Sequence, residues 1–588
     1  MQQNNNGNQS NIFLAMALTM AILVGWSFFF DTPQTPQQDS QQSQQQDSAV
    51  QNAGMNPSNS LKADSSKPSL GSTNPALAES ETITKNHAQD TRIQIQTEKL
   101  SGTLRLRGAR IDNLTLTQYN ESVDGDGEDV TLLAEDGTSD AYFADFGWLG
   151  QTASGSTLND LPDSNTPWEV GRNKILSTTN PVVLRYTSPS GLQFERTIKV
   201  DENYLFTITD KVTNQDSQTA TLYSYGMITR NMPQEVSSFF ILHEGPIGYL
   251  SDKLVEHKYE DLEDKSQNHT SVGGWSGLTD KYWLTALIPA QDQNIKTSYR
   301  YAIHNNAKRY YNDFVGPGIT LQQGESISNT THFYAGAKIL DLLDSYEETL
   351  GIKHFDLAVD FGWFYFLTKP IFHILTYAKG VLGNFGLAIL LLTVILKLLF
   401  FPLANKSYRS MARMKQLQPK MAKLKETHAD DKMAMNQALM DLYKKEKVNP
   451  MAGCLPMLIQ IPVFFALYKV LFVSIEMRHA PFYGWIHDLS APDPTSVFNL
   501  FGLLPYGVPG FLQIGAWPLI MGATMFIQQR LNPAPQDPIQ EKMFMLMPVI
   551  FTIMLANFPA GLVIYWAWNN LLTIAQQWTI MRMEAKSK

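Results

Sequence analysis

Residues 385–403 read FGLAILLLTVILKLLFFPL, nineteen positions with a single charge, Lys397, and a proline, Pro402, near the end. At about 1.5 Å of rise per residue, such a helix spans roughly the 30 Å hydrocarbon core of a bilayer. Comparable apolar stretches recur at 453–475, 513–530, 543–558 and 561–581, and residues 12–30 form another charge-free run. The sequence therefore predicts a polytopic α-helical membrane protein with six transmembrane helices, at 12–30, 384–404, 453–475, 513–530, 543–558 and 561–581. The first is expected to persist as an uncleaved anchor, because no basic segment precedes it and no small-x-small cleavage pattern follows. The stretch 355–380 mixes Asp360, Lys369, Pro370 and His373 with Trp363, Phe364, Tyr365 and Phe366, which suits an amphipathic helix lying in the interface.

Outward from these stretches the charge divides the chain of 588 residues. Residues 31–350 hold 42 Asp and Glu against 24 Lys and Arg, and residues 351–588 hold 13 against 22. The segment 404–452 alone carries eleven Lys and Arg against five acids. By the positive-inside rule it is cytoplasmic, and Arg530, Lys542, Arg582, Lys586 and Lys588 fall on the same side. Working back from that loop places the tail 1–11 inside and the acidic segment outside, which in a bacterium is the periplasm. The loop 476–512 is then periplasmic, and both the loop 531–542 and the tail 582–588 are cytoplasmic.

Within the exported part, residues 31–88 are dominated by Gln, Ser, Asn, Pro and Asp and read as a disordered periplasmic tether. From 89 to about 345 the pattern alternates, as in Arg92, Ile93, Gln94, Ile95, Gln96, with turn clusters such as Asp124, Gly125, Asp126, Gly127 between runs. Period-two hydrophobicity with this punctuation predicts antiparallel strands and a large β-sandwich. Trp148, Trp168, Trp275 and Trp283 could line a carbohydrate cleft, but such residues more often fill a sandwich core.

A charge inside a membrane helix is expensive and marks a candidate site. Lys397 stands one turn after Thr393 on the same helical face. Other spans offer Gln460, the pair Thr524 and Gln528, and the ladder Tyr565, Asn569, Thr573. Together they predict a hydrated groove around a buried cation, although isolated amides and hydroxyls also serve to bond neighbouring helices. Lys469 is a second buried cation, placed nearer the outer face and read as peripheral. The clear spans contain no Asp or Glu, which argues against proton- or sodium-coupled transport. The sequence shows no HExxH, GxSxG, P-loop or EF-hand pattern, so neither an enzyme nor a bound cofactor or metal is expected. The one cysteine, Cys454, excludes an intramolecular disulfide, a CxxC pair and a cysteine zinc cluster.

Segment 405–452 repeats apolar residues by three and four, at Met414, Leu417, Met421, Leu424 and again at Met435, Leu439, Leu442, and predicts a cytoplasmic helical hairpin. Its Arg413, Lys415, Lys420, Lys423 and Lys425 form a basic face suited to anionic lipids or to a docking partner. Seventeen of the 23 methionines follow residue 350, and their flexible side chains suit a surface that accepts many apolar sequences.

The segments NPMAGCLPMLIQIPVFFALYKVL at 449–471 and FPAGLVIYWAWNNLLTIAQQ at 558–577 closely resemble the signatures of the YidC/Oxa/Alb family of membrane protein insertases. The segment 413–425 and WIHDLS at 485–490 resemble the bacterial branch. The resemblance implies an inner-membrane insertase and chaperone acting alone or with the Sec translocon, with a groove open to cytoplasm and lipid and closed to the periplasm. It implies that Lys397 supplies the groove's positive charge, where most Gram-negative relatives carry Arg, and that Thr393 and Trp566 face the passing substrate helix. A compact ammonium keeps the charge but lacks the planar fork, so an electrostatic role survives and a bidentate one does not. The exported domain resembles the family's β-supersandwich. Implied partners are nascent membrane proteins, the Sec translocon, and a ribosome or targeting receptor, with no nucleic-acid substrate. With no nucleotide site, the expected driving force is hydrophobic partitioning, helped by the membrane potential for acidic flanks. The competing readings are a Sec-associated folding chaperone without autonomous insertion, a small-solute transporter, and an anchored carbohydrate-modifying protein. The long stretch 496–510 carries no expected function.

Overall fold

The computed structural model describes residues 91–233, 242–428, 431–446, 448, 455–509, 512–532 and 538–586. The expected tail, anchor and tether, residues 1–88, lie outside them.

The alternating sequence folds into two packed antiparallel sheets of eleven and nine strands. In the larger, the central Ala220–Asn231 strand pairs with Tyr142–Thr152 on one side and Ala307–Val315 on the other. In the smaller, Ser326–Ala337 lies between Leu205–Asn214 and Trp283–Ile288. The pairing of Gln94 and Ile95 with Ile175 and Leu176 is parallel. Along Leu192–Val200 every second residue is buried, the signature of a strand with one face on the core. Gly147 sits opposite Tyr225, whose ring would lie within 2.7 Å of an added Cβ, so only glycine leaves the ring its place.

Between the sheets the packing is aromatic and partly polar. Phe146 meets Phe333 edge-on at 5.8 Å, and the Tyr142 hydroxyl reaches Thr285 Oγ1 at 2.6 Å. Trp148, Trp168 and Trp275 are all buried. The Trp148 indole donates to Asp210 at 2.9 Å and that of Trp275 to the Lys353 carbonyl at 3.1 Å. These tryptophans belong to the core.

A short helix, α1 (Tyr259–Asp264), decorates the sandwich, and α2 (Leu340–Leu350) leaves it. A turn of 3₁₀ helix (Phe355–Ala358) then leads, past an exposed Trp363, into α3 (Tyr365–Leu382), which buries Ile371, Phe372 and Leu375 and exposes Phe366, Tyr377 and Val381 around the opposite side. Lys369 fixes this helix to the sandwich exit through Asp344 at 2.8 Å and Asp356 at 2.7 Å. The two acids hold its ammonium above the usual lysine range. The remaining helices are α4 (Phe385–Leu399), α5 (Phe401–Thr427), α6 (Lys432–Lys445), α7 (Leu455–Val473), α8 (Ala516–Leu531), α9 (Pro538–Met554) and α10 (Ala560–Lys586).

The expected straight span 384–404 is corrected here: α4 ends at Leu399, and α5 departs at 69°. Pro402 sits in the first turn of α5, where its missing N–H costs nothing, whereas in a helix continuing from α4 its ring would clash with the Leu398 carbonyl four residues back. The hairpin thus begins at 401 rather than 405. By length and composition no single helix among the described residues passes as a membrane span, and the bent pair α4–α5 passes together.

The sandwich and the helices share one continuous apolar core, joined by polar contacts. Lys469 pairs with Asp360 at 2.9 Å, whose other oxygen accepts the His243 N–H at 3.0 Å. Lys469 therefore points to the sandwich junction. Arg478 donates to the Asn120 carbonyl at 2.7 Å across the same boundary.

Candidate substrate groove

Four helices, α4, α5, α7 and α10, surround a cavity lined by Thr393, Lys397, Tyr408, Gln460, Tyr565, Asn569 and Gln576, with Leu396, Phe400, Pro456 and Val463 among its apolar walls. Its free space is about 40 Å³, room for roughly three waters. The cavity occupies the α5-proximal half of the bundle, away from the sandwich.

The Asn384 side chain caps α4 by accepting the Leu387 N–H at 3.1 Å, which sets the helix phase that turns Thr393 and Lys397 inward. The Lys397 ammonium donates to Thr573 Oγ1 at 2.7 Å. Thr573 in turn donates to the Asn569 carbonyl at 2.7 Å, so its hydroxyl is used in both directions. Among the described residues, no carboxylate stands within ion-pair distance of Lys397. Gln460 donates to the Tyr565 hydroxyl across the α7–α10 contact. Two further polar atoms, Asn569 Oδ1 and Gln576 Nε2, are buried without a partner and belong to cavity-lining residues. A buried amide left unsatisfied costs about 1–3 kcal/mol, so these atoms are ready to bond water or a polar group of an entering chain.

Toward the sandwich the slot is closed by stacked rings. Phe464 stacks on Trp566 at 4.7 Å, and Phe464, Tyr468 and Phe472 follow one another up α7 at 6.5 and 5.5 Å. Phe551 of α9 meets Trp566 edge-on at 5.8 Å.

Of the expected groove residues, Lys397, Thr393, Gln460, Tyr565 and Asn569 line the cavity, and Thr573 holds its lysine. Three do not line it. Trp566 lies in the aromatic closure rather than the slot. Thr524 faces the α8–α10 contact, donating to the Met521 carbonyl at 2.8 Å and accepting from Asn570 at 3.3 Å. Gln528, further along α8, does not reach the cavity. Tyr408 and Gln576 were not anticipated. Gln576 is the next helical step of the Tyr565, Asn569, Thr573 ladder, and Tyr408 lies beyond the bend that the expected straight span concealed.

In the hairpin, Leu417 and Met421 of α5 and Leu439 and Leu442 of α6 form the seam with Met414, Tyr443 and Val448, whereas Leu424 and Met435 stand outside it. Arg413, Lys420 and Lys423 are exposed, Lys415 is half-buried, and Lys420 pairs with Glu446 at 2.7 Å across the two arms. The Lys425 side chain lies outside the described residues. On α9, Met543, Met545, Leu546, Val549, Ile550 and Ile553 present an exposed apolar face.

Two family models together cover the sandwich and the helices. One is described as the YidC periplasmic domain and matches residues 92–374, and the other as 60Kd inner membrane protein and matches residues 377–587. They define an inner-membrane protein with a large periplasmic β domain. The membrane protein insertase YidC of Brucella suis biovar 1 (strain 1330) is 48% identical over 98% of this chain and 96% of its own length. That of Rickettsia bellii (strain OSU 85-389) is 46% identical over 98% of this chain and its whole length. A solved structure described as an active YidC insertase with its first transmembrane domain resolved aligns over 82% of this chain and 91% of its own, at 18% identity and a TM-score of 0.35. The chain belongs to the YidC family of membrane protein insertases.

Proposed function

We propose that this protein inserts nascent segments into the inner membrane by admitting their polar flank to the slot around Lys397. The observation that carries this reading is an ammonium with no acid partner among the described residues, set beside unsatisfied amides in the cavity between α4, α5, α7 and α10. Within hydrocarbon, polar groups of an entering chain have no water to bond, and each unsatisfied group costs several kcal/mol. The Asn569 side-chain oxygen Oδ1, the Gln576 amide nitrogen Nε2 and the Lys397 ammonium supply those bonds partway across. The slot as it stands has the volume of a few waters and not of a polypeptide, so admission requires α4 and α7 to part. The exposed apolar face of α9 then offers the adjoining hydrophobic segment a path into lipid, with partitioning as the driving force.

In this reading six helices span the membrane, counting residues 12–30, with both termini cytoplasmic. The basic loop 404–452 supports that orientation. The hairpin recruits substrate beside a ribosome, a targeting receptor or the Sec translocon, and its exposed lysines hold it to anionic lipid.

The test is insertion of a short single-span substrate with an acidic periplasmic tail into vesicles that contain this protein and no Sec components. Insertion well above that of empty vesicles is expected. Insertion that appears only when the translocon is added would leave the Sec-associated chaperone as the better reading.

A further inference from the structure

A second cavity, of about 400 Å³, lies at the sandwich end of the helices, separate from the Lys397 slot. Its walls come from four places: the Lys281–Tyr282 turn of the sandwich, the end of α7 with Arg478 and His479, the loop around Asp488, and the 557–559 turn between α9 and α10. Its chemistry is divided. Lys281 and Arg478 stand on the sandwich side, while Tyr468, Phe472 and Phe558 form an apolar floor continuous with the bundle.

Lys281 has no hydrogen bond from its ammonium and no acid within ion-pair distance among the described residues, and instead lies 3.9 Å from the Phe472 ring centre. Burial pushes its ammonium down to about 8, with Asp488 and Glu244 only partly opposing the shift, as expected of a cation lacking a close counter-charge. Arg478 gives one hydrogen bond to the Asn120 carbonyl and rests on Trp283 at 5.6 Å, and its guanidinium has five donors in all. One acid, Asp488, also lines the cavity, but both the Ser490 N–H and hydroxyl donate to its Oδ1 at 2.7 Å. His479 completes the rim.

We infer that this cavity binds the phosphate headgroup of an anionic phospholipid from the outer leaflet, between Lys281 and Arg478, with the lipid's glycerol and upper chains on the Tyr468, Phe472 and Phe558 floor. The division of the walls, cationic above and apolar below at the edge of the helical bundle, matches an amphiphilic anion. A free phosphate uses only the rim, and a carboxylate peptide leaves the floor bare. The occupant bridges the periplasmic domain and the helices and so couples their relative position to lipid.

The test titrates the full-length chain in neutral detergent with soluble dihexanoyl phosphatidylglycerol, dihexanoyl phosphatidylcholine, inorganic phosphate and a tetraglutamate peptide, read by calorimetry. One equivalent of phosphatidylglycerol is expected to bind saturably, at least tenfold more tightly than any of the other three. Lys281→Gln with Arg478→Gln should weaken it at least tenfold. Asp488→Asn retains the oxygen that accepts from Ser490 and should tighten binding severalfold, a gain that misfolding cannot produce. No saturable lipid binding, or binding indifferent to these substitutions, overturns the inference. Phosphate or tetraglutamate matching the lipid also overturns it, because the apolar floor would then contribute nothing. The measurement involves no insertion, so its failure is distinct from failure of the insertase reading.

Discussion

In the sandwich, the buried Arg196 meets Asp210 through two hydrogen bonds of 2.7 Å, gives a third to the Phe146 carbonyl at 2.9 Å, and lies 4.9 Å from the Trp168 ring centre. In the helical half, among the described residues, Lys397 meets one hydroxyl and no acid, beside amide atoms with no partner. Both are cations withdrawn from water, and the contrast lies in what surrounds them. Arg196 is locked into a neutral, satisfied cluster between two sheets. Lys397 is left with capacity to spare, which costs stability and, in the proposed function, provides a place for a passing polar group.

That comparison is broken most severely by removing the arginine. Arg196→Ala strands Asp210 in the core with the Trp148 indole as its remaining side-chain donor. It should destabilise the domain by about 3–5 kcal/mol in thermal or urea unfolding. Replacing both partners, Arg196→Met with Asp210→Leu, should restore most of the loss, because no unpaired charge is then buried.

A smaller effect is expected at the boundary between the halves. Burial raises the Glu476 carboxyl from its ordinary 4.5 to about 7, and its Oε2 has no partner. At and below pH 4.5 the folded state keeps the proton and bears no penalty from this group. As pH rises from 4.5 to 7 the unfolded chain ionises first, so stability falls, and above 7 the full cost is present. Relative to Glu476→Gln, the native protein should lose roughly 3 kcal/mol over that window. A difference between the two that stays flat with pH would show that Glu476 is ionised freely in the folded state.

The smallest effect is expected at the aromatic closure. Trp566→Ala removes the stack on Phe464 and the edge contact with Phe551, and should lower stability by about 1–2 kcal/mol. Insertion should stay within about twofold of the native yield, because Trp566 does not line the slot. A collapse of insertion with stability intact would return Trp566 to the substrate path.

How far the sequence reaches follows the same division. Alternation identified the sandwich from runs such as 192–200, because a strand's period records which face is buried. The order of the strands was not legible, since it depends on pairings between residues far apart in the chain, such as Tyr225 with Val315 and Leu205 with Tyr334. In the helices, period 3.6 grouped Thr393 with Lys397 and Tyr565 with Asn569 and Thr573. It could not say which neighbour each stripe faces: Thr524 meets Asn570 of α10, and neither Thr524 nor Gln528 lines the cavity around Lys397. Tyr408 escaped because Pro402 was read as the end of a span rather than as a 69° bend that returns the next helix to the cavity.

In the proposed function the charge of Lys397, and not its shape, serves insertion. The direct measurement compares the native protein with Lys397→Arg, Lys397→Ala and Lys397→Glu in Sec-free vesicles, using the substrate with the acidic tail, after each variant is shown to be folded. Lys397→Arg is expected to retain most activity, Lys397→Ala to lose at least tenfold, and Lys397→Glu to lose more still. Equal insertion by all four proteins would contradict it and would leave Lys397 as a charge the bundle merely tolerates.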